Sequence, residues 1–144
     1  MTTTVVALLD SLRAHLAEFE LPQLCSVYIT PYRPNVTAQL ASRRESLDIA
    51  GALLAWADTL TAITTEAWRV PGGDSVHLSV LGQLSSGVWV RVYGVVPFTE
   101  HGIGADLTPN ACTTVALAVL REQATVGEVT RSLDRFRELK ARVL

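Results

Sequence analysis

Val76-His-Leu-Ser-Val-Leu-Gly-Gln-Leu84 and Val88-Trp-Val-Arg-Val-Tyr-Gly-Val-Val96, joined by Ser85-Ser-Gly87, read as one β-hairpin. A three-residue loop ending in glycine suits a type I turn followed by a left-handed residue that forms a bulge. That turn places Leu84 opposite Val88. Counting back pairs Gly82 with Val90, Val80 with Val92, Leu78 with Gly94 and Val76 with Val96. Side chains alternate with period two, so these positions share one apolar face, the expected core face.

The other face carries His77, Ser79, Leu81, Gln83, Trp89, Arg91, Tyr93 and Val95. A plain solvent face would hold more charge. Two readings remain open: a second buried layer under the last helix, or a binding surface.

Thr64 to Val70 predicts a further strand, and Pro71-Gly-Gly-Asp74 is a turn signal. A tight turn there sets Trp68 opposite His77, Ala67 opposite Leu78 and Glu66 opposite Ser79. Trp68, His77, Trp89, Arg91 and Tyr93 then gather on the non-core face of a three-stranded meander. Upstream, Leu24–Thr30 and Val36–Leu40 flank Pro31-Tyr-Arg-Pro-Asn35 and predict a second hairpin, with Val36, Ala38 and Leu40 inward.

Three helices complete the pattern. Thr3 or Thr4 can cap a first helix whose stripe is Val5, Leu8, Leu9, Leu12, Leu16 and Phe19, ending near Glu20; His15 then falls on its exposed side. Ser42-Arg-Arg-Glu45 matches a capping box for a central helix reaching about Thr61, with Ile49, Leu53, Trp56 and Leu60 on its stripe. Gly51 inside that helix costs about 1 kcal/mol relative to alanine, and calls for close approach of a neighbour or a dimer contact. Residues 111–124 fit a strand or a helix, and are read as a short strand followed by a helical turn. A last helix from Thr125 or Val126 carries Val129, Leu133, Phe136, Leu139 or Lys140, and Val143 at near-heptad spacing. Asp134 with Arg137 and Glu138 with Arg142 are favourable pairs on it. The expected fold is one α+β domain over residues 1–144: a mostly antiparallel sheet of about five strands packed against an N-terminal, a central and a C-terminal helix.

Composition narrows the function classes. The 144 residues are 49% apolar and 18% charged, with a net charge of −2. That excludes global disorder and gives no electrostatic case for nucleic acid or an anionic membrane. Lys140 is the only lysine, which with abundant Ala, Val, Leu and Thr suggests a GC-rich bacterial genome. No signal-peptide pattern and no span of ~20 apolar residues are present, so a cytoplasmic location is expected. Cys25 and Cys112 then read as two small buried hydrophobes.

No catalytic motif stands out, and no cofactor is implied. A thiol–imidazole pair of Cys112 with His101 or His77 has the right chemistry, but sequence gives no proximity. His77, Glu100, His101 and Cys112 are metal-competent types without metal-site spacing. The leading expectation is a non-enzymatic protein-binding or oligomerisation module, most simply a homodimer. Trp68, His77, Trp89, Arg91 and Tyr93 would form its surface, because Trp, Tyr and Arg concentrate at interface hot spots. One alternative is a small enzyme or ligand-binding domain using the Pro97–Asn110 loop with Glu100, His101 and Cys112. Another is a structural subunit of a larger assembly such as a phage particle.

Overall fold

The structure is a computed structural model that describes residues 4–41 and 46–143, with the side chains of 46–48, 126–132, 134, 142 and 143 left undescribed. Its elements run α1 (Val5–Glu18), β1 (Leu24–Ile29), β2 (Val36–Leu40), α2 (Ser46–Ala57), β3 (Thr61–Arg69), β4 (Ser75–Gln83), β5 (Trp89–Pro97), β6 (Cys112–Thr114) and α3 (Leu117–Val143). The fold is α+β, with a sheet of six strands where about five were expected. The strand order is β1-β2-β5-β4-β3-β6. Every neighbouring pair is antiparallel except β2 with β5, which is parallel.

The meander follows the sequence register throughout. Leu84 N–H donates to Val88 O at 2.9 Å, and Gly87 sits at φ 88°, the left-handed turn position. Gly82 pairs with Val90, Val80 with Val92, Leu78 with Gly94 and Val76 with Val96. Trp68 pairs with His77, Ala67 with Leu78 and Glu66 with Ser79. The core face of these strands is fully buried: Val76, Leu78, Val80, Val90 and Val92 are at most 1% exposed. Val36, Ala38 and Leu40 of β2 extend it.

All three helices among the described residues contribute to this one core. Ile49, Leu53 and Trp56 of α2 pack on it, as do Leu12 of α1 and Leu120 of α3. Ile49 comes so close to β5 that only a glycine fits beneath it; a β-carbon at Gly94 would lie 2.6 Å from Ile49 Cγ2.

Several expectations are corrected. Thr4 caps α1, accepting from Ala7 N–H, but the buried residues are Leu8, Leu12 and His15, whereas Val5, Val6, Leu9 and Leu16 are exposed. The helix is thus turned so that His15 faces inward. Its ring stacks on Trp56 at 5.8 Å, and its Nε2 lies 2.8 Å from the Thr59 hydroxyl. α2 stops at Ala57, and Thr59 closes it by donating to Trp56 O. β3 therefore begins at Thr61, with a bulge before Thr64 and Ala62 at φ 54°. Gly51 has nothing within 4 Å of where its β-carbon would be, so no close neighbour compensates it; the tight contact is at Gly94 instead. Both cysteines are exposed, not buried.

Residues 111–124 resolve into β6 on the edge beside β3, followed directly by α3, which runs unbroken for 27 residues. Its distal part carries Leu133, Phe136 and Leu139 exposed to solvent. The capping box Ser42–Glu45 lies outside the described residues. So do the side chains of Asp134 and Arg142, and with them the two helix pairs. Among the described residues no helix is long and apolar enough to cross a membrane.

Candidate binding face

Because the helices gather on one side, the second face of the sheet lies open. α3 packs against α2, away from this face. The alternation that buries Val76, Leu78 and Val80 leaves His77, Ser79 and Leu81 between them only half-buried. The same holds for Trp89, Arg91, Tyr93 and Val95 on β5. The choice between a covered layer and an uncovered surface thus falls to the uncovered one.

A file of aromatic rings crosses the three strands. Trp68 meets His77 edge-on at 5.0 Å, and His77 stacks on Tyr93 at 5.2 Å with only 9° between the ring planes. Val95 is the residue directly opposite His77, so the stack uses the diagonal neighbour across the strand pair. Hydrogen bonds extend the file at both ends. Trp68 Nε1 donates to Asn110 Oδ1 at 3.2 Å, and the Tyr93 hydroxyl donates to Gln39 Oε1 on β2 at 3.2 Å. The rings are thereby held at fixed positions on a regular sheet.

Beside this file lies a concavity of about 430 Å³, lined by Thr37, Glu66, Trp68, His77, Ser79, Arg91, Tyr93 and Cys112. Five residues singled out from the sequence, Trp68, His77, Arg91, Tyr93 and Cys112, therefore meet in one place. Trp89 does not line it. Its ring is covered by the Arg33 guanidinium, 3.5 Å from the ring centroid, and its backbone N–H is held by Asn35 Oδ1.

Sequence reasoning missed Thr37 as a member. It enters through the parallel pairing that sets Thr37 beside Arg91, a contact between strands 54 residues apart that no local pattern announces. Glu66 was placed opposite Ser79 by the meander count and could have been added from that register.

The charges in the concavity are arranged unequally. The Cys112 thiol donates to Glu66 Oε2 at 3.9 Å. Loss of solvent around the sulfur and the Glu66 carboxylate both push this thiol above the ordinary cysteine value, with Arg91 opposing them. Such a thiol is a poor nucleophile near neutral pH. Burial holds His77 below the usual histidine value, so its ring is neutral at pH 7. The Arg91 side chain makes no ion pair or hydrogen bond to another described residue, and its Nε is shielded from solvent without a partner.

The loop candidates are placed differently. Glu100 and His101 are exposed on the turn after β5 and do not line the concavity. Cys112 takes Glu66 as its hydrogen-bond partner, not His101. The Pro97–Asn110 loop is pinned to the body: the Arg69 guanidinium lies 3.6 Å over the Phe98 ring and donates to Gly73 O and Leu107 O, both at 2.9 Å. Ile103 and Leu107 pack against the core. Among the described residues no group of three or more His, Cys, Asp or Glu side chains is arranged to hold a metal ion. Comparisons with protein-family models, with curated proteins and with solved structures find no match for this chain.

Proposed function

We propose that this chain is a non-catalytic binding module whose open sheet face docks a protein partner. The observation that carries the reading is a rigid Trp68–His77–Tyr93 file flanking a 430 Å³ concavity that none of the described helices covers. Fixed aromatic rings offer contact area at low entropic cost, and a recess beside them accepts an anchoring side chain. Non-catalytic action is supported by the raised Cys112 thiol, whose hydrogen-bond partner is the Glu66 carboxylate and not an imidazole. The acidic partner of that thiol suppresses the thiolate that nucleophilic catalysis needs.

The test compares wild type with Trp68→Ala and Arg91→Ala, both lining the concavity, by circular dichroism, thermal melting and association. Association is read as solution mass against concentration and as capture of specific partners by the immobilised protein. Both variants are expected to keep the fold and lose association by tenfold or more, the usual scale for a hot-spot truncation. Unfolding of both, or unchanged association, would refute the reading.

Self-association has its own support on α3, where Leu133, Phe136 and Leu139 are 52%, 65% and 59% exposed. Apolar residues at this spacing favour pairing with another helix. If a second copy is the partner there, Phe136→Ser lowers the solution mass while Arg91→Ala does not.

A further inference from the structure

The concavity on the open face contains more than aromatic rings. Four lining side chains that can donate hydrogen bonds have no side-chain acceptor among the described residues: the Arg91 guanidinium, the hydroxyls of Thr37 and Ser79, and the His77 ring, which is held in the aromatic file. None has a side-chain hydrogen bond to another described residue, and Arg91 has no ion pair. Thr37 is paired directly with Arg91 across the parallel strands. Ser79 lies between Glu66 and Tyr93 in one cross-strand row. The one acidic group in the recess, Glu66, already accepts from Cys112.

The Arg91 Nε is shielded from solvent, so a ligand in the recess meets the terminal guanidinium nitrogens of this half-buried side chain, whose paired N–H groups match a carboxylate. We infer that the recess is built for a carboxylate, supplied by an acidic side chain of the docked partner and seated on Arg91. Thr37 and Ser79 are placed to donate to the same group. The stem of the acidic residue then rests on the Tyr93 and Trp68 rings. Glu66 repels an anion from the β3 side and so fixes the direction of entry from β2 and β5. This inference rests on the reading of the open face as the docking surface, and adds the chemistry of the anchor.

The probes are N-acetyl-glutamate amide and its uncharged isostere N-acetyl-glutamine amide, titrated into the ¹⁵N-labelled full chain. The Arg91 Nε–H resonance reports on the recess. The glutamate amide is expected to shift it saturably. The glutamine amide, and the glutamate amide on an Arg91→Gln variant of unchanged amide fingerprint, are expected to bind about tenfold more weakly or worse. In the variant, binding is read from the backbone amides of Thr37 and Ser79. Equal binding of the two probes, or no response of Arg91, overturns the inference. Tighter binding of inorganic phosphate than of the glutamate amide also overturns it, assigning the recess to a phosphate group. Loss of partner association in Arg91→Ala without any glutamate response would sink the carboxylate anchor and leave the docking face standing. An Arg91-dependent glutamate response with unchanged partner association would do the reverse to the docking face.

Discussion

Ile49 of α2 occupies the space that a side chain at residue 94 would need: a β-carbon on Gly94 would meet Ile49 Cγ2 at 2.6 Å and Cδ1 at 2.8 Å. Ile49 is 1% exposed and sits in the core formed by the sheet, so it has little room to retreat. Gly94→Ala is therefore expected to destabilise by about 1–3 kcal/mol through overpacking. Ile49→Val removes the Cδ1 contact but keeps Cγ2, so adding it to Gly94→Ala should recover only part of the loss. Urea unfolding of the single and double variants measures this. An alanine at residue 94 without cost would show that α2 does not bear on β5 as described.

Gly51, two residues after Ile49 and so on another side of the same helix, predicts the opposite sign. Nothing lies within 4 Å of its missing β-carbon, and it sits in the interior of Ser46–Ala57. Gly51→Ala should stabilise by roughly 0.5–1 kcal/mol, the helix-propensity difference. An unchanged or lowered melting temperature would mean that another surface, such as a second copy, uses the gap.

The contrast between these glycines shows which parts of the fold were legible from sequence. From Thr64 onward the meander was readable because its turns are local: Gly87 and the Pro71–Asp74 turn fix the register, and period-two alternation then separates the faces. That was enough to bring Trp68, His77, Arg91 and Tyr93 to one surface. The pairing of β2 with β5 was not readable, since two strands separated by α2 and the meander carry no shared turn signal. Thr37 was missed for that reason. His15 was misplaced because helical periodicity in α1 ranks polar residues outward; Trp56 and Thr59, 41 and 44 residues later in the chain, make its burial acceptable. The short strand expected within residues 111–124 is β6, but three residues carry no signal for its pairing with β3.

His15 gives a pH prediction. It is 4% exposed, and burial lowers its pKa below the ordinary value of 6.5, with Glu18 opposing the shift. The unfolded chain therefore takes up a proton at a higher pH than the folded one. Stability from this group is fully present above pH 6.5 and is lost as pH falls from there toward the folded-state value. His77 shifts in the same direction, through burial. Each residue contributes at most about 1.4 kcal/mol per pH unit. Denaturant melts between pH 7.5 and 5 should show wild type losing stability faster than His15→Gln, whose amide can still reach Thr59 without charging. Parallel curves for the two proteins would contradict a neutral, buried His15.

Cys112 offers the sharpest chemical readout on the binding face. Its thiol is exposed, yet loss of solvent around the sulfur, the Glu66 charge and the thiol–carboxylate hydrogen bond all raise its pKa, with Arg91 pulling the other way. Thiolate is the reactive form, so alkylation at pH 7–8 should be slower than that of free cysteine. In a Cys25→Ser background, which leaves one thiol to follow, Glu66→Gln removes the carboxylate charge that raises the thiol. It should speed reaction with iodoacetamide and move the pH–rate midpoint down. Arg91→Gln should slow it and move the midpoint up. Rates that respond to neither substitution would mean that Glu66, Cys112 and Arg91 do not share one electrostatic environment, and the recess on the open face would lose its charged wall.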